Sequence, residues 1–267
     1  MSKLPIAIHG AAGRMGRRVV ALAASDPAVE IVAAIENDQH PLLGQDAGEL
    51  AGVEKLDIPL SSKWPTDADV VIDFSLPEAI DRCIDKCVAH DSGLVVATTG
   101  LTDAQVERLR DASESIPIVW APSMSLAVNL SMKLAQQITQ KLTDVPGGVD
   151  IEIIERHHRF KADAPSGTAL KFGDLIAEKL GDETKHVHGR EGHTGKRGRD
   201  EIGYHAVRVG DNPGEHTIVF GMLGEKIELN VAASNRDCYA SGALAAAKWL
   251  VEKPADIYDM FDVLEMS

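Results

Sequence analysis

Glycines at 10, 13 and 16 separate a short β-branched run over residues 6–9 from an amphipathic stretch over 15–24. Glycine at such positions permits a tight strand-to-helix turn, close approach of the backbone to a pyrophosphate, and close helix–strand packing. A helix starting straight after the turn offers its free amides to phosphates. The segment therefore predicts the opening βα unit of a dinucleotide-binding sheet, with the spacing GxxGxxG in place of the better-known GxGxxG. A purely structural βα turn is the alternative, so a second signal is needed.

That signal is Glu36, at the end of a strand expected over residues 30–35 and roughly 20 residues beyond Gly16, where an acidic side chain accepts hydrogen bonds from ribose hydroxyls. The residues that follow, Asn37-Asp38-Gln39-His40, include no lysine or arginine to neutralise the 2′-phosphate of NADP. NADH is therefore the expected cofactor and NADPH a secondary one. Further strands are expected at 70–74, 94–98 and 116–120, with helices at 77–90 and 103–113 between them. Such alternation reads as βαβ units in a doubly wound parallel sheet. Ser75 with Pro77, and Thr102 with Asp103, supply start signals for those two helices. Two loops, Ala97-Thr98-Thr99-Gly100 and Ala121-Pro122-Ser123-Met124, follow strands at the carboxyl edge of the sheet, where ligands bind in open α/β folds.

From Ser125 the texture changes. A helix is expected to about residue 142, a break at Pro146-Gly147-Gly148, a strand over 149–154, and a helix over 167–180. A polar loop over 186–201 precedes strands at 202–209, 215–221 and 226–232, in hairpin order. The fold class is α/β: a Rossmann-like sheet domain over 1–127, with C-terminal helices over 236–267 packing back on it, plus an α+β substrate-binding and oligomerisation domain with a mixed sheet over 128–235.

The balance of 27 basic and 41 acidic residues leaves a formal charge of −14, which repels nucleic acid and anionic membranes. An anionic ligand then requires a local basic cluster. Arg156, His157, His158, Arg159 and Lys161 form one, just before Ser166-Gly167-Thr168 opens a helix. A histidine binds or donates a proton near neutral pH, a lysine holds a carboxylate or acts as an acid, and the helix amides with the Thr168 hydroxyl bind a second carboxylate. Two anion-binding elements side by side suit a dicarboxylate. No run approaches the roughly 20 apolar residues that span a bilayer. Three cysteines, Cys83, Cys87 and Cys238, fit a reducing cytoplasm better than a disulfide framework. Cys83 with Cys87, and His186, His188 and His193, lack the further ligands of a zinc site, so no metal is expected.

The stretch Glu152-Ile-Ile-Glu155-Arg-His157-His158-Arg-Phe-Lys161-Ala-Asp163-Ala-Pro165-Ser166-Gly167-Thr168-Ala169 resembles the signature of the 4-hydroxy-tetrahydrodipicolinate (dihydrodipicolinate) reductase family. The resemblance extends over nearly the whole chain, through Gly13-Arg14-Met15-Gly16, Asp73-Phe74-Ser75, Thr98-Thr99-Gly100, Arg190-Glu191-Gly192-His193-Thr194-Gly195 and Gly214-Glu215-His216. It implies an oxidoreductase of lysine and diaminopimelate biosynthesis, assembled as a homotetramer. It implies cofactor contacts from Gly10, Ala11, Ala12, Gly13, Arg14 and Met15, from Glu36, from Ala97, Thr98 and Thr99, and from Ala121, Pro122, Ser123 and Met124. It also implies His157 and Lys161 as the catalytic pair, with His158, Gly167 and Thr168 binding substrate. Asn37 stands where many members of the family carry arginine, in keeping with NADH. The alternatives are another dehydrogenase of the aspartate pathway, or a nicotinamide-binding regulatory protein that has lost its chemistry. An intact His157/Lys161 pair beside Ser166-Gly167-Thr168 argues against both.

Overall fold

The computed structural model describes residues 2–181 and 183–266, so Met1 and Ser267, the outer limits of the expected first domain, lie outside it. The first elements in chain order are β1 (Leu4–His9), α1 (Arg14–Ala24), β2 (Val29–Ile35), α2 (Ala47–Ala51), β3 (Leu60–Ser61), β4 (Val70–Asp73), α3 (Pro77–His90), β5 (Gly93–Val96), α4 (Asp103–Ser113) and β6 (Pro117–Trp120). There follow α5 (Leu126–Leu142), β7 (Asp150–His157), α6 (Gly167–Leu180), β8 (Lys185–His188), β9 (Glu201–Arg208), β10 (Glu215–Met222), β11 (Glu225–Ala232), α7 (Asp237–Leu250), β12 (Asp256–Tyr258) and α8 (Met260–Val263). They divide into two units, Met1–Leu126 with Arg236–Ser267, and Ala127–Asn235.

The first unit holds a seven-stranded sheet in the order β12-β6-β5-β4-β1-β2-β3, with every neighbouring pair parallel. Alternate residues of each strand bury opposite faces, so both faces must be apolar and both must be covered. Ile6, Ile8, Val70 and Ile72 lie with Val19, Val20 and the small residues Ala240, Ala243 and Ala247 on the side of α1 and α7. Ala7, Val71, Leu94 and Val96 lie with Ile80, Cys83, Cys87 and Leu109 on the side of α3 and α4. Cys83 and Cys87 thus pack the core one helical turn apart. Each fully buried aliphatic side chain stabilises the unit by about 1.5–3 kcal/mol.

Local chemistry explains where the helices begin. Thr102 and Gln105 form a reciprocal capping box at α4. α3 starts on Pro77 at a position that needs no amide, with Leu76 rather than Ser75 as its N-cap; the Ser75 hydroxyl donates instead to the Leu76 carbonyl, 3.3 Å away. The short α2, which no apolar period announces, is organised by buried Asp46, whose carboxylate accepts the amides of Gly48, Glu49, Leu56 and Ile58. Strand order reverses between β1 and β4, because the chain runs outward through β2 and β3 and returns to the other side of β1. Beyond the carboxyl ends of these two strands is the crevice in which α/β sheets bind ligands.

The second unit is built on a mixed sheet in the order β11-β10-β7-β9-β8. Only β10 and β11 form the expected hairpin; β7 lies at the centre, antiparallel to β10 and parallel to β9. Joining parallel neighbours takes a crossover, and α6 with β8 lies along it. β8 occupies the start of the stretch read from sequence as loop; His186 holds it there by stacking on Tyr204, with Nδ1 2.7 Å from the phenol oxygen. On the inner face Ile151, Ile153, Tyr204, Ile218 and Phe220 are buried, as are Phe172 and Ile176 of α6. Among the described residues no helix is long and apolar enough to cross a membrane.

Candidate active site

At the carboxyl end of β1 the chain leaves the sheet at Gly10, whose φ of +76° belongs to the left-handed region that glycine alone adopts freely. A Cβ on Gly10 would stand 2.7 Å from the Phe74 carbonyl oxygen, and one on Gly16 only 2.1 Å from that of Gly10. The glycines therefore fold the loop tightly against β4 and bring the start of α1 down upon it. The amides of Gly10 and Ala11 both donate to the Ile35 carbonyl, at 3.0 and 3.1 Å, which ties the loop to the end of β2. Among the described residues no side chain caps the first amides of α1, and Gly13 and Arg14 are exposed. This tight glycine loop, ahead of the uncapped first amides of α1, is a backbone cradle suited to a pyrophosphate.

Glu36 leaves β2 beside this cradle and accepts the Ala12 amide at 3.1 Å through Oε1. Its Oε2 takes the Asn37 amide at 3.3 Å, while the Asn37 side chain accepts the Gln39 amide at 3.0 Å. Arg17 reaches back to the Ala12 carbonyl at 2.8 Å. The floor of the crevice is a polar knot that joins Thr98, expected to contact the cofactor, to His9 and Asp73, to which the sequence assigned no role. Asp73, fully buried at the end of β4, lies 2.7 Å from His9 Nδ1 and accepts the Thr98 hydroxyl at 2.6 Å. The His9, Asp73 and Cys83 ligating atoms all lie within 4.8 Å of one another. Register is the reason: His9 and Asp73 are direct partners across β1 and β4. Of the two further loops, Ala97 is half-buried and Thr99 exposed; Ala121 and Met124 are buried in the core, and Pro122 and Ser123 reach the surface.

In the second unit, His157 ends β7 and Lys161 lies on the loop that follows, which the Lys161 amide closes on the His158 carbonyl at 3.1 Å. The Lys161 side chain is 22% exposed, and its ammonium stands 2.9 Å from Asp163 and holds that carboxyl below its ordinary range. Ser166 caps α6 by accepting the Ala169 amide, and Gly167 is exposed on the first turn with Thr168 half-buried beside it. His158 offers a buried Nδ1 with no hydrogen-bond partner among the described residues, an arrangement that fits a polar ligand.

Beneath these groups lie three residues, Glu155, Arg208 and His216, to which the sequence assigned no role. Glu155, 1% exposed, accepts from His157, Arg208 and the Ser166 amide; burial pushes its pKa up, but the bonds from Arg208 and His157 outweigh it and hold the carboxyl below its usual range. His216 lies 3.0 Å from the Ser166 hydroxyl and edge-on to His157; burial, with the nearby His157, brings its pKa down to about 4 and keeps it neutral. For Glu155 a signal existed, since it shares the buried face of β7 with His157 at the period of two. Arg208 gave none, because only sheet register places it opposite His157.

A glycine-loop cradle beside a strand-end acid at the switch point of a doubly wound sheet, and in a second unit a basic cluster at a helix N-terminus, define a nicotinamide-dependent oxidoreductase of small anionic substrates. The models of the dihydrodipicolinate reductase N-terminus and C-terminus match residues 4–124 and 127–264. The chain belongs to the dihydrodipicolinate reductase family. It is 68% identical to a 4-hydroxy-tetrahydrodipicolinate reductase of Rhodopirellula baltica over 99% of this chain and 97% of that one. It is 46% identical to the reductase of that name from Alkalilimnicola ehrlichii over 97% and 98% of the two chains. A dipicolinate-bound dihydrodipicolinate reductase from a Paenisporosarcina species shares the fold, with a TM-score of 0.78 at 24% identity over 98% of this chain and 99% of that one.

Proposed function

We propose that this chain reduces the cyclic, unsaturated product formed when 4-hydroxy-tetrahydrodipicolinate loses water, giving tetrahydrodipicolinate in lysine and diaminopimelate biosynthesis. The observation that carries this reading is the clustering of His157, His158 and Lys161 with the first turn of α6, tied together by the Lys161 amide on the His158 carbonyl and by Glu155 between His157 and Ser166, in a chain whose net charge is −14. A bound nicotinamide supplies the hydride for an electron-poor ring carbon. Lys161 and the amides at Gly167 and Thr168 hold the two carboxylates, and His158 contributes its unpartnered nitrogen to the same ring. His157 then gives a proton from its ring to the enamine that hydride addition leaves, which keeps charge from accumulating on the substrate. The cradle formed by Gly10, Ala11, Ala12, Gly13, Arg14 and Met15 receives the pyrophosphate, and Glu36 the ribose. Thr98, Thr99 and residues 121–124 line the approach to the nicotinamide.

We read NADH as favoured, with NADPH accepted, because Glu36 and Asn37 place no cation where a 2′-phosphate would lie. A homotetramer is supported by the outer face of the second sheet, where Val207 is 39% exposed and Ile154 and Val219 are half-buried. The test is a coupled assay in which the substrate is generated from pyruvate and aspartate semialdehyde by the preceding synthase. His157→Gln and Lys161→Ala are each expected to lower kcat by about 10²- to 10⁴-fold with NADH binding unchanged. Near-normal turnover in both variants overturns the assignment.

A further inference from the structure

The inner face of β7 reads Ile151, Ile153, Glu155 and His157, so a carboxyl stands in an apolar row at 1% exposure. Burial of an ionised carboxylate costs several kcal/mol unless it is fully paired. Glu155 is fully paired. Arg208 donates to Oε2 at 2.7 Å and to Oε1 at 2.8 Å, the Ser166 amide donates to Oε1 at 3.0 Å, and His157 Nδ1 lies 2.6 Å from Oε2. A carboxylate held ionised by that many donors can only accept, so the hydrogen in its bond with His157 sits on Nδ1. The neutral ring then has a bare Nε2, and the charged ring carries its transferable proton there. Nε2 points at Gly214, where a Cβ would come within 2.9 Å of it; the missing side chain leaves that nitrogen room.

We propose that Glu155, clamped by Arg208, is the positioning residue that makes Nε2 the atom through which His157 gives up its proton, and that it holds the neighbouring groups in register with that atom. Through the Ser166 amide it fixes the start of α6. Through Arg208, whose Nη2 also donates to the Asp163 carbonyl at 2.6 Å, it fixes the loop that carries Lys161. One buried carboxylate thereby aligns the acid, the ammonium and the helix amides. The inference rests on the reading of His157 as proton donor. The groups that face His157 are Glu155 on its own strand, Arg208 from β9 and neutral His216 from β10, with Lys161 and Asp163 on the loop beyond.

The test compares Glu155→Gln, which keeps the shape and removes the charge, with Glu155→Asp, which keeps the charge and withdraws it from His157. Steady-state kinetics across pH, NADH titration and thermal melting are run beside His157→Gln. Both variants are expected to lose about 10- to 100-fold in kcat, part of the contribution of a positioned acid, with NADH affinity unchanged. In Glu155→Gln the alkaline limb of the kcat profile moves to lower pH, because no carboxylate remains to favour the imidazolium; a role in folding alone would leave that limb in place. Should neither variant fold, magic-angle-spinning ¹⁵N spectra of histidine-labelled wild-type protein decide the matter. They are expected to show neutral His157 protonated at Nδ1, and a neutral ring protonated at Nε2 with Nδ1 bare overturns the proposal. A folded Glu155 variant with wild-type kcat and pH profile, beside an inactive His157→Gln, also overturns it while leaving the donor assignment standing. An active His157→Gln overturns the donor assignment itself.

Discussion

Replacing Gly16 by alanine adds one methyl at the point where α1 meets the glycine loop, and the structure sets the size of the effect. The new Cβ would lie 2.1 Å from the Gly10 carbonyl oxygen and 2.7 Å from Ala11 Cα, against the 3.4 Å at which ordinary contact begins, so α1 and the loop must part by about 1 Å. The loop has little freedom to retreat. Gly10 is pressed against Phe74, its carbonyl holds the Gly13 amide at 3.0 Å, and its own amide is tied to Ile35. Overpacking of this kind costs about 1–3 kcal/mol. The displaced parts are those that would hold the pyrophosphate, so the same energy is expected in NADH binding as roughly a 5- to 150-fold rise in Kd. A fall in Tm of about 2–4 °C for each kcal/mol lost from the fold should accompany it. Gly13→Ala is the internal control for the fold, because its Cβ would meet only the Gly10 oxygen at 3.1 Å, and a loss of stability under about 1 kcal/mol is expected. Fluorescence titration with NADH and calorimetry on both variants measure the two quantities. Wild-type Kd and Tm in Gly16→Ala, or a larger fall in Tm in Gly13→Ala, would refute the reasoning.

Asn37→Arg should move the kcat/KM ratio toward NADPH by about 1–3 kcal/mol, the worth of a charge-assisted hydrogen bond; a wild-type NADPH preference above about tenfold would mean that another residue supplies the cation. Glu152 carries a pH-dependent contribution to stability. Burial would raise its pKa, but Arg190, Arg197 and His205 lower it from the ordinary 4.5 to about 2. A group depressed in the folded state stabilises above its unfolded pKa, so a contribution of at most about 3 kcal/mol is present above pH 4.5 and is lost as pH falls toward 2. Melting curves of wild type and Glu152→Gln should converge across that window, and a gap that stays constant with pH would exclude the linkage. Sedimentation velocity at micromolar protein should show a tetramer, with Val207→Glu weakening it; a wild-type monomer would contradict the partner-covered sheet.

Local rules were enough for much of this molecule. The glycine spacing, the acid about 20 residues on, and the run from His157 to Thr168 act through chain neighbours, and a strand-end loop or helix start forms wherever its own residues demand it. The boundaries of α3 and α4 follow from Pro77 and from the Thr102–Gln105 box for the same reason. Other features had no local cause. β7 takes the centre of its sheet because β9 and β10 pair with it from either side, and an expectation of simple hairpins cannot foresee a crossover. Sequence alone determined which groups the chain carries for binding a nucleotide and a dicarboxylate. Tertiary structure decided which atoms of those groups are free: His9 and Thr98 converge on Asp73, and Arg208 and Ser166 converge on Glu155, through pairings between residues 11 to 64 positions apart. A buried carboxylate must find its donors wherever the fold supplies them, and that requirement is met across the sheet rather than along the chain.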